Sequence, residues 1–222
     1  MKGTPQDYSN ALRVQQQMLL QAHAFEAKSN DQPKRDEYCR LLLLRSSDLI
    51  GSVSHFVRST DITAGQILMR SMLEDLIRIL WATQSEANAE HLISHGFDEF
   101  KLAFRANLQG GTARVVDGDG NDHSQRYWES GALDRSVKRK STESMASEAG
   151  AMGIYNMFYR FTSLHTHGNL LDLPRTDDPA DISALLSGVG AISKSTGHTG
   201  IRWLLGRERP TDKELLEILG VH

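Results

Sequence analysis

Prolines occur at only five positions, 5, 33, 174, 179 and 210. The stretch from Pro33 to Pro174 therefore lacks the residue that removes a backbone donor and clashes with the preceding helical turn. Leucine outnumbers valine and isoleucine combined, and no segment sustains the period-two alternation of a half-buried strand. Together these features predict an all-α fold, a helical bundle.

Apolar spacing defines the first four helices. Leu12, Met18, Leu19, Ala22 and Phe25 recur at helical intervals and predict a helix from about Tyr8 to Ala27. Pro33 suits the first position of a second helix, which runs to about Arg58 and carries Tyr38, Leu41, Leu42, Leu49, Val53 and Phe56. The third, from about Thr63 to Thr83, has the clearest face: Met69, Met72, Leu73, Leu76, Ile77, Leu80 and Trp81. A fourth follows from about Glu86 to Leu108, with Gly110 and Gly111 as its stop.

Residues 110 to 123 are rich in Gly, Asp and Asn and predict a surface loop. The segment from Gln125 to Gly150 is polar and need not pack tightly. A further helix is expected from near Ala151 to about His167, ended by Gly168 and Asn169. Beyond the linker holding Pro174 and Pro179, a last helix begins near Ala180, with a further segment ending at Leu205 and a short amphipathic piece after Pro210. The chain of 222 residues is expected to form one helical domain, with 33–173 as the core bundle and 174–222 as a C-terminal helical segment.

A net charge of −3 and a pI near 6.3 supply no global basic field, so nucleic acid would have to be met by a local patch or a dimer groove. The lone Cys39 excludes a disulfide framework and a cysteine-based zinc cluster within one chain. The N-terminus has no apolar signal core, and the run Leu41 to Leu44 is far short of the roughly 20 residues a membrane span needs. The expectation is a cytoplasmic protein without membrane partners.

Chemistry is concentrated in the segment Tyr155 to Gly168, where Arg160, His165 and His167 interrupt an apolar, aromatic stretch. Such groups are costly to bury without partners. Seven residues of an α-helix turn about 700°, which brings Arg160 and His167 to within about 20° of one face, whereas His165 falls about 140° away. Ser163 lies between them on the same strip. Histidine as general base or acid, with arginine countering the negative charge of a phosphorane, suits RNA scission by its own 2′-hydroxyl without metal or cofactor. One helix offers a single well-placed histidine, so a base and an acid together call for two copies across a two-fold axis. The competing reading is a structural pair at a helix interface. It corresponds to a non-catalytic helical interaction or regulatory protein.

Two motifs carry a resemblance. Arg70-Ser71-Met72-Leu73-Glu74 on one helix and Tyr159-Arg160, Ser163 and His167 on a later one resemble the bacterial helical family known as domain-of-unknown-function family 5677, over roughly residues 35 to 175. More loosely, the arginine and spaced histidine resemble the HEPN superfamily. The resemblance implies an HEPN-like bundle, a homodimer joined through the motif helices, and an endoribonuclease of toxin or phage-defence systems with an antitoxin or defence partner protein. It also implies that Arg70 and Glu74 point inward to orient the histidine or the phosphate. Active HEPN nucleases usually carry a polar residue directly after the arginine; this chain has Phe161.

Other features are plainer. Arg70, Glu74 and Arg78 stand one turn apart and can form a charged ladder. Arg135, Lys138, Arg139 and Lys140 form a short basic run, which is either a solvated face or a source of phosphate contacts. His91 and His95 have a metal-ligand spacing but lack the intervening glutamate of a zinc helix, and read as a surface pair. Asp117 to Asp122 starts like a calcium loop, but Asp122 stands where glycine is required. No metal is expected.

Overall fold

The computed structural model describes residues 5–24, 31–58, 62–112, 114–130, 139–159 and 179–206. Among them the fold is all-α. Its elements are α1 (Pro5–His23), α2 (Pro33–Arg58), α3 (Ile62–Ala82), α4 (Glu86–Gly110), α5 (Ser124–Glu129), α6 (Thr142–Glu148), α7 (Met152–Ile154), a π-helical turn at Tyr155–Tyr159, and α8 (Pro179–Gly206). The β-type pairing found among the described residues is an isolated bridge between Val116 and Asp122.

α1 and α2 form an antiparallel hairpin fastened midway and near its turn by reciprocal bonds. The Gln16 amide donates to the Ser47 carbonyl at 3.1 Å and the Ser47 hydroxyl to the Gln16 carbonyl at 3.5 Å. Near the turn, His23 Nδ1 donates to the Arg40 carbonyl at 2.9 Å and the Arg40 guanidinium to the His23 carbonyl at 3.3 Å. Leu12, Leu19 and Ala22 are buried, but Met18 is 54% exposed. Six residues from Leu12 turn about 600°, which carries Met18 to the outer side. Leu41 of α2 departs from expectation in the same way, at 50% exposed, because the inner face is set by Cys39, Leu42, Leu43, Ile50 and Val53.

α3 runs through the centre, and Met72, Leu73, Leu76, Ile77, Leu80 and Trp81 are all buried, as their spacing predicts. Burying each such side chain contributes about 1.5–3 kcal/mol. α8 is one unbroken helix where two segments were expected. A Cβ at Gly188 would stand 3.2 Å from Met69, at Gly197 2.8 Å from Leu19, and at Gly200 3.0 Å from Leu43 and 3.2 Å from Ile79. These contacts advance in step along α1 and α3, so α8 lies parallel to both and antiparallel to α2. Its glycines are points of close approach rather than breaks.

The polar segment before the motif also packs more than its composition suggests. Met145, Ala146 and Ala149 are buried, and Ser141 caps α6 by accepting from the Ser144 amide at 3.1 Å. At the same end of the bundle, Glu86 opens α4 and also accepts from the amides of Lys34 (2.7 Å) and Arg35 (3.1 Å), capping α2 across the interface. Trp203 near the end of α8 donates to buried Asp36 at 3.1 Å, with Arg35 4.6 Å above its ring.

Two glycine substitutions should therefore have opposite signs in urea unfolding. Gly200→Val is expected to cost about 1–3 kcal/mol by overpacking against Leu43 and Ile79. Gly96→Ala, in α4 with nothing within 4 Å of the added carbon, is expected to stabilise by about 0.5–1 kcal/mol.

Candidate functional site

α3 presents one face to the core and, along its edge, the polar residues Arg70, Glu74, Asp75 and Arg78. At one end of this strip the Arg70 guanidinium donates to the Tyr159 hydroxyl at 3.2 Å and lies 5.0 Å from the centre of that ring. Tyr159 ends the π turn, and its ring stacks on Tyr155 at 5.1 Å with a 21° tilt. Single π turns inside helical segments recur at functional sites. Here the turn delivers Tyr159, the residue directly before Arg160, onto α3.

One turn further along, Arg78 donates to Glu74. The ladder expected from spacing is thus divided: Glu74 pairs with Arg78, while Arg70 turns to the tyrosine. Asp75 faces α2, where Arg45 Nε donates to its Oδ2 at 2.8 Å; the carboxylate is fully buried while the Arg45 side chain is 54% exposed. Burial pushes the Asp75 carboxyl up to about 6, against the opposing pull of Arg45 and Arg78. Burial likewise raises the Tyr38 phenol well above its ordinary range, with Arg78 the largest opposing influence. Asp75 Oδ1 and the Nε atoms of Arg70 and Arg78 are buried with no hydrogen-bond partner.

A second polar cluster surrounds Trp81. Its indole donates to Glu148 at 2.6 Å, Lys140 pairs with the same carboxylate at 2.6 Å, and the Lys140 ammonium lies 4.7 Å from the ring centre. The hydrogen bond from Lys140, followed by that from Trp81, holds Glu148 below the usual carboxylate range. His91 meets the Trp81 ring edge-on at 5.6 Å; burial, then Lys140 and His95, lowers its affinity for a proton.

The acidic loop is closed on itself. Asp117 accepts from the amides of Asp119 and Asn121 and pairs with His123 at 2.8 Å, so its carboxylate organises a turn. Among the described residues, no group of three or more His, Cys, Asp or Glu side chains gathers as a metal site. No helix among them is long and apolar enough to cross a membrane.

Of the residues singled out by sequence, Arg70 and Glu74 lie on the α3 strip. Arg160, Ser163, His165 and His167 lie outside the described residues, as do Arg135 and Lys138. Arg139 is exposed, whereas Lys140 is engaged by Glu148 and Trp81. Asp75, Arg45 and Tyr38 were not anticipated. Asp75 left a signal nonetheless: a carboxylate set between Leu73 and Leu76 within the most apolar face of the chain.

An all-helical bundle with a charged strip on its central helix is the class this architecture defines. A family model described as "Family of unknown function (DUF5677)" matches residues 36–179, well over half of the chain. The chain belongs to that family. No curated protein and no solved structure gives a significant match. The matched span includes both sequence motifs and the Arg70–Tyr159 contact between them, while α1 and nearly all of α8 fall outside it.

The Arg70–Tyr159 pair can be separated into its parts. Tyr159→Phe keeps the ring under the guanidinium and removes the acceptor, and should lower stability by about 0.5–1.5 kcal/mol in chemical denaturation. Arg70→Met should cost more, because the ring contact is lost as well, and the double variant should fall short of the sum of the two.

Proposed function

We propose that this chain is an HEPN-like, metal-independent endoribonuclease acting as a homodimer, with Arg160 and His167 as its reactive pair. The observation that carries this reading is the contact of Arg70 with Tyr159, which sets the Arg70–Glu74 motif beside the start of the Arg160–His167 motif. In the proposed reaction the RNA 2′-oxygen bonds to the adjacent phosphorus as a histidine takes its proton. The bond from phosphorus to the 5′-oxygen breaks, and the leaving oxygen takes a proton from the second copy's histidine. Arg160 stabilises the pentacoordinate phosphorane. Ser163 and His165 assist, Arg70 and Glu74 orient the motif, and the basic run near Arg139 meets the RNA backbone. An antitoxin or defence partner would govern the activity.

The second reading, a non-catalytic interaction protein, is favoured by Phe161, the apolar residue directly after the arginine. Purified protein incubated with RNA in the presence of EDTA separates the two. Cleavage to 2′,3′-cyclic phosphate ends is expected, reduced about 10²–10⁴-fold by His167→Ala and by Arg160→Ala with little change in melting temperature. Cleavage undiminished by both substitutions sinks the mechanism. Absence of cleavage, with both substitutions lowering the melting temperature sharply, supports the structural reading.

A further inference from the structure

We infer that Asp75 and Arg45 form a proton-operated latch between α2 and α3. The geometry is asymmetric. One carboxylate oxygen, Oδ2, accepts from Arg45 Nε at 2.8 Å, while Oδ1 is buried and has no donor. Asp75 is fully sealed from solvent, but its partner is half in water. A carboxylate held this way has one charge-compensating bond and one oxygen that gains by taking up a proton. Once Oδ1 is protonated, the pair loses its Coulombic attraction and the exposed Arg45 guanidinium is free to turn to solvent.

The charged and titratable neighbours acting on Asp75 are Arg45 from α2 and Arg78 and Glu74 from its own helix, with Tyr38 of α2 in the same cluster. Polar groups on the other elements packed on α3 are, His198 apart, engaged elsewhere. Those of α4, α6 and the residues just before α6 (His91, Glu148 and Lys140) gather at Trp81, Tyr159 of the π turn meets Arg70, and on α8 the hydroxyls of Ser193, Ser195, Thr196 and Thr199 bond to their own helix while His198 keeps a buried Nδ1 with no hydrogen-bond partner. Burial is the largest influence and lifts the carboxyl to about 6 from an ordinary 3.8. The folded chain therefore holds a proton that the unfolded chain releases between those values. The resulting stability is fully present below about pH 4 and lost as pH rises through about 6. The latch stands apart from the nuclease reading and is tested without RNA.

Carbon-13 NMR of the aspartate carboxyls in the full chain should show Asp75 titrating near pH 6, and Arg45→Gln should move that midpoint upward. In urea unfolding, the ratio of unfolding constants between wild type and Asp75→Asn should change roughly fiftyfold between pH 6.5 and 4, with wild type gaining on acidification. A carboxyl that titrates at or below about pH 4, or a ratio flat over that range, overturns the proposal. So does a midpoint unmoved by Arg45→Gln. The wild-type titration decides the matter even if Asp75→Asn does not fold.

Discussion

The close approach of α8 to its neighbours is the contact on which the rest of the bundle depends. A helix touching α1, α2 and α3 at once must bring its backbone nearer than ordinary side chains permit. Gly188, Gly197 and Gly200 supply that proximity, each facing an apolar side chain of a different or shared neighbour. Such glycines weaken an isolated helix by about 1 kcal/mol each. Here the loss is offset by the burial of Leu186, Val189, Ile192, Trp203 and Leu204. The Ser and Thr residues between them add no unmet polar demand, because Ser193, Thr196 and Thr199 donate to carbonyls four residues back at 2.7–3.0 Å.

Because α8 runs parallel to α3, the chain must return to the starting end of the bundle between them. Among the described residues, α4 to α7 and the π turn occupy that return. The excursion is thus a topological requirement of the fold, and it brings Tyr159 to α3. α3 is fixed on one side by α8 and on another by α2, so its polar edge is presented by a rigid element. Arg70 receives Tyr159 there, Arg78 holds Glu74, and Asp75 reaches Arg45. Packing and the charged strip are therefore properties of one helix.

What was legible in the sequence follows from where the physics is local. α2 spans Pro33–Arg58 as its proline and periodicity predict, and α3 differs from expectation by one residue at each end. The motif pair was recognisable as residues of a known family, and that family is the one matched. Less accessible was anything decided by a distant partner. α6 lies in a segment that could be helical but need not pack tightly, since three small or flexible apolar residues among serines and glutamates make little pattern until Trp81 and α3 cover them. The small-residue run Gly188 to Ser195 reads as helix packing, as Gly188 against Met69 bears out, but the side chains that the α8 glycines admit, Leu19, Leu43 and Ile79, are more than a hundred residues away and leave no local trace. Asp75 stayed hidden for the same reason: its meaning comes from Arg45, on another helix.

The π turn bears on how the motif should be read. A seven-residue spacing keeps Arg160 and His167 on one face of an α-helix whatever precedes them. Where the structure describes the chain, its phase at Tyr159 is set by the π turn. A π turn inserts one extra residue and so rotates everything after it by roughly 100° relative to an uninterrupted α-helix. Arg70 holds Tyr159 by both its hydroxyl and its ring, which fixes that phase against α3. The arginine of the first motif therefore fixes the end of the π turn against α3 through the tyrosine.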